Sequence, residues 1–153
     1  MELFALDAEL TEWEAKLPSL TGLARLQLLA QLAWHLRQRD GRLARQRPSE
    51  ARNLLPQAVP ATRRRFGARA LLIEGELSWH GGELAPAARY AANALDAFAL
   101  LDDALGQADA LWLQAWIAID GGQPAQADQH LPAAAQLARS AGASLRAQVF
   151  GGV

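Results

Sequence analysis

The side chains that could carry out catalysis or bind a metal are few and scattered. The three histidines, His35, His80 and His130, include no pair four residues apart and no HExxH motif, the spacing that puts two zinc ligands on one helical face. Cysteine is absent and Lys16 is the single lysine, so thiolate chemistry has no candidate and amine chemistry has one. No phosphate-binding glycine loop and no GxSxG nucleophile motif occurs. The residues favour a non-catalytic chain with no cofactor and no metal site.

Arginines are the second candidate for chemistry. Residues 37–69 contain ten of them against Asp40 and Glu50, a net charge of +8, whereas residues 1–36 carry −3 and residues 70–153 carry −6. A phosphate-binding surface needs arginines that converge from several elements, and the aromatic interleaving of single-strand binders is missing here. We therefore expect a solvated face whose arginines pair with acids of neighbouring helices or of another subunit. Anion or nucleic-acid binding is the alternative.

Composition defines the elements that must position these side chains. Alanine and leucine dominate the chain, whereas Val, Ile and Thr together number nine, which favours helices over an extensive sheet. A length of 153 residues is typical of one domain with its own hydrophobic core. The acidic N-terminus lacks the pattern of a signal peptide, and no stretch of 18 uncharged apolar residues occurs. We expect a single all-α domain over 1–153 that is cytoplasmic and does not enter a membrane.

Glycines recur in two registers that predict a repeat of helix pairs. The first register is followed, eight or nine residues later, by a small residue inside an apolar segment (Gly22 and Ala30, Gly67 and Gly75, Gly106 and Ala115, Gly142 and Gly151). The second register consists of Gly41, Gly81-Gly82 and Gly121-Gly122. The dipeptides Trp34-His35 and Trp79-His80 are 45 residues apart, as are Gly22 and Gly67. The unit is a helix A, a glycine turn and a helix B, about 36–45 residues in all.

The predicted helices follow these registers. They are a leading helix over 3–16, helix pairs over about 22–57, 61–101 and 104–140, and the start of a further helix over 143–153. In the first pair, a helix A over 22–39 is followed by a loop over 40–47 and a short helix over 48–57. The reason is Pro48, because proline breaks a helix interior but fits the first helical position. Pro132 is expected to kink or split the helix over 124–140. Since the array stops in mid-unit, we expect the chain to be part of a longer protein.

The small residues of the second and third pairs resemble the tetratricopeptide repeat. The matching positions are Gly75, Gly82, Leu84, Ala87, Ala91 and Ala94, then Ala115, Gly122, Ala127 and Ala134. The overall texture, above all the segment LARLQLLAQLAWHLRQRD, resembles the N-terminal helical-repeat regions of bacterial signalling proteins, including diguanylate cyclases. The resemblance implies antiparallel helix pairs stacked as a short superhelical array. Its concave surface would be lined by the A helices.

The same resemblance places nine residues on the concave side, as a groove for a partner. They are Gln31, Trp34 and His35 from the first pair, Glu76, Trp79 and His80 from the second, and Asp109, Trp112 and Trp116 from the third. Tryptophan is enriched where proteins bind partners, because it offers a large contact area at low entropic cost. The alternative is that these tryptophans pack in the core, as large aromatic residues at helical spacing commonly do.

The function that follows is a non-catalytic interaction or regulatory module. We expect it to form the N-terminal part of a larger bacterial signalling protein of the diguanylate cyclase kind. Its expected partner is a protein or peptide, either the output domain of the same chain or a second molecule, and a homodimer is one form of this. The alternative function is anion or nucleic-acid binding through residues 37–69, although nucleic acid is the less favoured partner.

Overall fold

The structure, a computed structural model, describes residues 2–151, and all of their regular structure is helical. Two short 3-10 helices, Leu17–Ser19 and Leu55–Gln57, accompany eight α-helices, and no strand occurs in residues 2–151. The α-helices are α1 (Asp7–Lys16), α2 (Gly22–Leu36), α3 (Gly41–Arg52), α4 (Pro60–His80), α5 (Leu84–Ala99), α6 (Ala104–Asp120), α7 (Pro124–Ser140) and α8 (Ser144–Gly151). The prediction of an all-α chain is confirmed.

The contacts of the chain divide it into two compact units, Met1–Phe66 and Gly67–Val153. In the first unit, α2 packs against α3 and α1 contacts α2. In the second unit, α5 packs on α6, α6 on α7 and α7 on α8. Consecutive helices therefore pack against each other along each unit. None of the helices described is both long and apolar enough to cross a membrane.

The turns of the second unit repeat every 20 residues. Gly82, Asp102, Gly122 and Gly142 follow the ends of four helices, and each has a positive φ, between 52° and 78°. One position further on, a backbone N–H bonds the carbonyl five residues back, as from Glu83 to Ser78 at 2.9 Å. This is the Schellman arrangement, which satisfies carbonyls that a helix end leaves without intrahelical partners. Since two such turns close one helix pair, the pair repeats every 40 residues, within the range predicted from the sequence.

Small residues let the helices of the second unit approach closely. Gly75 is buried, and a Cβ atom placed on it would lie 3.1 Å from Leu113 Cδ2 and 3.2 Å from Tyr90 Cβ. Ala115, the residue of the same register in α6, is fully buried. Fully buried alanines also line α5 and α7, at positions 87, 91 and 94 and at positions 134 and 138. The predicted register of small residues therefore marks close helix contacts in this unit.

The leading helix begins at Asp7, so the prediction of a helix from residue 3 is wrong. The backbone of residues 2–6 bonds side chains of the first unit. The indole Nε1 of Trp34 donates to the carbonyl of Glu2 at 2.9 Å, and Arg39 Nη2 donates to the carbonyl of Ala5 at 2.7 Å. The N–H of Leu6 donates to the Glu9 carboxylate at 2.6 Å, a local bond that begins α1 at this point.

Pro48 lies inside α3, so the prediction of a loop over 40–47 and a helix over 48–57 is wrong. The helix begins after Asp40, whose carboxylate accepts the N–H of Leu43 at 2.9 Å as an N-cap. Pro48, Ala44 and Ala51 lie on one face of α3 and are all buried. Burial of this face outweighs the hydrogen bond that proline removes, because most helical stability in proteins comes from packing.

Pro132 likewise lies within α7, which runs as one helix from Pro124 to Ser140, so of the two predicted effects, a kink or a split, the split does not occur. The buried face of α7 (Ala127, Ala134, Ala135 and Ala138) extends on both sides of the proline. Helix α2 ends at Leu36, three residues before the predicted end of the helix over 22–39. The predicted pairs over 61–101 and 104–140 correspond to α4 with α5 and to α6 with α7, and the end of the predicted helix over 143–153 lies outside the described residues.

Candidate functional site

Three of the predicted groove tryptophans come together in the second unit. Trp79, near the end of α4, lies with its ring centroid 6.4 Å from that of Trp112 and 6.2 Å from that of Trp116, both on α6. The centroids of Trp112 and Trp116 are 6.0 Å apart, since the two residues are one helical turn from each other. We call Trp79, Trp112 and Trp116 the aromatic surface. Phe150 of α8 packs against the aromatic surface, with its ring centroid 5.7 Å from that of Trp112.

The aromatic surface is accessible to solvent in part. Trp116 is 37% exposed, and Trp79 and Trp112 are half-buried, whereas Phe150 is buried. Ile119, three residues after Trp116 on α6, is also exposed. Indole rings combine a large apolar area with few rotatable bonds, and a partner that covered them would gain contact area at low entropic cost.

Polar groups lie along the edge of the aromatic surface. The Trp79 indole donates from Nε1 to the Asp120 carboxylate at 2.6 Å, and Asp120 is exposed. The imidazole of His80 lies against the Trp79 ring with centroids 4.6 Å apart, and its Nε2 is 3.7 Å from Glu76 Oε1. Glu76 is buried and His80 is exposed. Glu76, Trp79 and His80 thus lie together at the end of α4, and Asp120 adds an acid to the same edge.

Asp109 has a different setting from the one predicted. It is buried, and its carboxylate is shared by two buried arginines, with Arg69 Nη1 at 2.8 Å and Arg146 Nε at 2.9 Å. The three side chains tie α4, α6 and α8 together through one ionic cluster. Asp109 therefore holds helices in place rather than forming an exposed edge of a groove, and Arg146, which the sequence did not single out, is its partner.

The predicted groove residues of the first unit lie mostly in its core. Trp34 is 2% exposed, and the guanidinium of Arg37 lies over its ring at 3.4 Å. His35 is buried, with its ring centroid 5.4 Å from that of Trp13. Gln31 is half-buried. Trp34 and His35 thus match the alternative interpretation of core residues, and the aromatic surface belongs to the second unit.

His35 makes the stability of the first unit depend on pH. Burial lowers the pKa of His35 from 6.5 to about 4, and the charges of Arg37 and Arg39 act in the same direction, against a smaller opposite effect of Glu9. Its Nε2 is buried and meets no hydrogen-bond partner among residues 2–151. Above pH 6.5 both the folded and the unfolded states hold a neutral imidazole. Between pH 6.5 and 4 only the unfolded state takes up the proton, so folding weakens as the pH falls.

We expect the free energy of unfolding to fall by about 2–3 kcal/mol between pH 7 and pH 4 through His35 alone. Urea unfolding of the wild type and of His35→Gln across this range measures the effect, because glutamine does not titrate. The wild type should lose that much more stability than the variant. Parallel pH profiles for the two proteins would show that His35 does not titrate in this way.

Several arginines of the basic segment are bound within the first unit. Arg47 contacts Glu14 at 2.6 Å and Glu50 at 2.8 Å, and these two carboxylates raise its pKa against the opposing effect of burial. Arg39 lies 3.4 Å from Asp7. Arg63, Arg64 and Arg65 are exposed at the start of α4. Pairing with acids of neighbouring helices, the expected state of these arginines, is thus present at Arg39 and Arg47.

A groove that the sequence did not predict lies between α5, α6 and α7. This open groove of about 420 Å³ is lined by apolar residues of α5 and α6 together with Gln114, Gln123, Gln126 and His130. Gln123, Gln126 and His130 are three and four residues apart, the spacing of one helical face, whereas Gln114 lies on α6, so only the packing of α6 and α7 brings the four together. In residues 2–151, no three His, Asp or Glu side chains are grouped to hold a metal ion.

Comparison of the chain with protein-family models, with curated proteins and with solved structures found no match. The contacts and exposure of the aromatic surface in the second unit are therefore the basis for a functional proposal.

Proposed function

We propose that this chain is a non-catalytic interaction module whose second unit binds a protein or peptide partner through the aromatic surface. The observation that carries the proposal is the cluster of Trp79, Trp112 and Trp116, with ring centroids 6.0–6.4 Å apart and each residue partly exposed. Binding energy in protein interfaces is concentrated on such residues, with tryptophan, tyrosine and arginine the most enriched.

The framework around the aromatic surface suits this role. The rings stand on α4 and α6, whose positions are held by the Asp109 cluster and by close contacts at Gly75. A binding surface on packed helices loses little entropy when a partner docks, because its side chains are already in place. The tetratricopeptide-like pattern supports the same role, and we extend the proposal on that basis to a regulatory module of a larger bacterial signalling protein.

Selection of short random peptides on the immobilised chain tests the proposal. Peptides that are enriched should bind the wild type in solution and lose at least about 10-fold in affinity with Trp116→Ala. Leu100→Ala is the matched control, because Leu100 is 89% exposed in the turn after α5 and lies outside the aromatic surface. Leu100→Ala should unfold at the temperature of the wild type, whereas Trp116→Ala should stay folded but unfold at a lower temperature, because its ring packs on Trp79 and Trp112. Enriched peptides that bind Trp116→Ala as tightly as the wild type would contradict the proposal.

Nucleic-acid binding through residues 37–69 is the competing function, and it yields a separate prediction. Because Arg39 and Arg47 are paired with acids within the first unit, fewer guanidinium groups are left for phosphate. We expect fluorescence polarisation with labelled DNA and RNA at physiological salt to show no affinity tighter than about 10⁻⁶ M, the range of non-specific binding. Tight and sequence-selective binding that is lost on changing Arg63, Arg64 and Arg65 to glutamine would reverse the ranking of the two functions.

A further inference from the structure

Acidic side chains outnumber basic ones on the elements that carry and support the aromatic surface, which are residues 67–80 of α4, α6 and α8. The two arginines of these elements, Arg69 and Arg146, both contact Asp109. The other acidic or basic side chains from residue 67 of α4, from α6 and from α8 are the acids Glu74, Glu76 and Asp120, with His80 charged only when protonated. Over residues 67–153 the chain has nine acids and four arginines, a net charge of −5. The surroundings therefore attract a positively charged ligand.

The arginines that lie over aromatic rings in this chain do so at rings outside the aromatic surface. Arg37 lies over Trp34 and Arg69 over Phe98, whereas no arginine of residues 2–151 lies over Trp79, Trp112 or Trp116. The planes of Trp79 and Trp112 are nearly perpendicular, at 85°, and those of Trp112 and Trp116 meet at 67°. When neighbouring rings are inclined to each other, a guanidinium group can stack on the face of one ring and contact the second ring at its side.

A carboxylate lies beside the rings, because Asp120 bonds the Trp79 indole and follows Trp116 by one helical turn on α6. Asp120 is exposed and is fixed by the bond from Trp79 Nε1, at 2.6 Å. An ionised carboxylate has several acceptor positions, so the indole bond leaves others open for guanidinium N–H donors. Stacking on indole together with a charge-assisted hydrogen bond is a combination that arginine provides and that apolar or acidic side chains do not.

We propose that the aromatic surface binds a basic peptide whose arginine side chains stack on Trp112 and Trp116 and bond Asp120. This inference rests on the proposed function and adds the chemistry of the partner. An arginine stacks on a tryptophan elsewhere in this chain, because the guanidinium of Arg37 lies 3.4 Å from the centroid of the Trp34 ring.

Titration of the full chain with acetylated, amidated tri-arginine tests the proposal, with tri-glutamate as the control ligand and tryptophan fluorescence and calorimetry as readouts. Tri-arginine should bind and tri-glutamate should not. Trp116→Leu, which keeps an apolar side chain but removes the π face, should weaken binding about 5-fold or more. Asp120→Asn should have a similar effect, and it keeps an acceptor for the Trp79 indole.

Asp128→Asn is the matched control, since Asp128 is an exposed acid of α7 and its loss changes the net charge by the same amount. It should weaken tri-arginine binding less than 2-fold. Equal losses in the two asparagine variants would mean that net charge alone attracts the peptide, and this outcome overturns the proposal. Because Asp120 is exposed, its variant tests the proposal even if Trp116→Leu does not fold.

The outcomes also separate this inference from the proposed function. If selected peptides bind the aromatic surface but lack basic residues, and tri-arginine does not bind, the arginine preference is wrong and the binding surface stands. If neither the selected peptides nor tri-arginine respond to changes at Trp116, both proposals fail.

Discussion

Replacing Asp109 with alanine is expected to destabilise the second unit by about 3–5 kcal/mol. The carboxylate is buried and holds two buried arginines, at 2.8 Å from Arg69 and 2.9 Å from Arg146. Its loss removes the acid that both buried guanidinium groups share, and removing one member of a buried ionic cluster is strongly destabilising. Urea unfolding followed by circular dichroism and tryptophan fluorescence measures the change.

Two further variants show whether charge is the reason. Asp128→Ala removes an exposed acid of the same unit and should change the free energy of unfolding by less than about 0.5 kcal/mol. The triple variant Arg69→Met, Asp109→Leu, Arg146→Met removes all three charges and should recover most of the lost stability, because apolar packing commonly replaces a buried ionic cluster at little cost. A triple variant as unstable as Asp109→Ala would show that the cluster contributes more than compensation of charge.

Gly106→Ala is expected to destabilise the second unit by about 3 kcal/mol, a large effect for one methyl group. A Cβ atom at position 106 would lie 2.1 Å from Cδ1 and 2.4 Å from Cγ of Phe98. The Phe98 ring is buried, and the Arg69 guanidinium lies over it at 4.8 Å from the centroid, so it has little room to move. The N–H of Gly106 also donates to the Asp103 carboxylate that caps α6, which fixes the backbone at this point.

Gly67→Ala is the matched control for this prediction. Gly67 lies inside α4, and a Cβ atom there would meet nothing within 4 Å. The same substitution should therefore stabilise the chain by about 0.5–1 kcal/mol, since alanine favours a helix interior over glycine. Thermal unfolding of the two variants should give changes of opposite sign, and a neutral Gly106→Ala would show that the contact with Phe98 adjusts without cost.

The helices were predictable from the sequence where local signals and packing agree. The second unit shows this, because Gly82 and Gly122 mark helix ends and the alanine spacing marks buried faces. Glycine spacing alone does not reveal the 20-residue period of the turns, because Asp102 takes the place of glycine at one of the four turns, with a φ of 52°. Aspartate adopts a positive φ more readily than most residues, but an aspartate in the sequence does not by itself predict a turn. Pro48 was misleading because tertiary burial outweighs its local preference.

The candidate site was predictable only in part, for a physical reason. Helical spacing places Trp112 beside Trp116, and these rings meet as expected. Spacing does not specify burial, so Trp34 and Trp79 share a sequence context while one is 2% exposed and the other is half-buried. The Arg146–Asp109 pair joins residues 37 apart on different helices, and only the packed structure brings them together.

We propose that a partner binds at the aromatic surface of the second unit, and nuclear magnetic resonance tests this directly. The five tryptophans give five indole N–H resonances in a nitrogen-15 spectrum, one set from each unit, and these can be assigned by single substitutions to phenylalanine. On addition of a peptide selected on the chain, the signals of Trp79, Trp112 and Trp116 should shift, while those of Trp13 and Trp34 should stay in place. Shifts confined to Trp13, Trp34 or the backbone of residues 37–66 would contradict the claim.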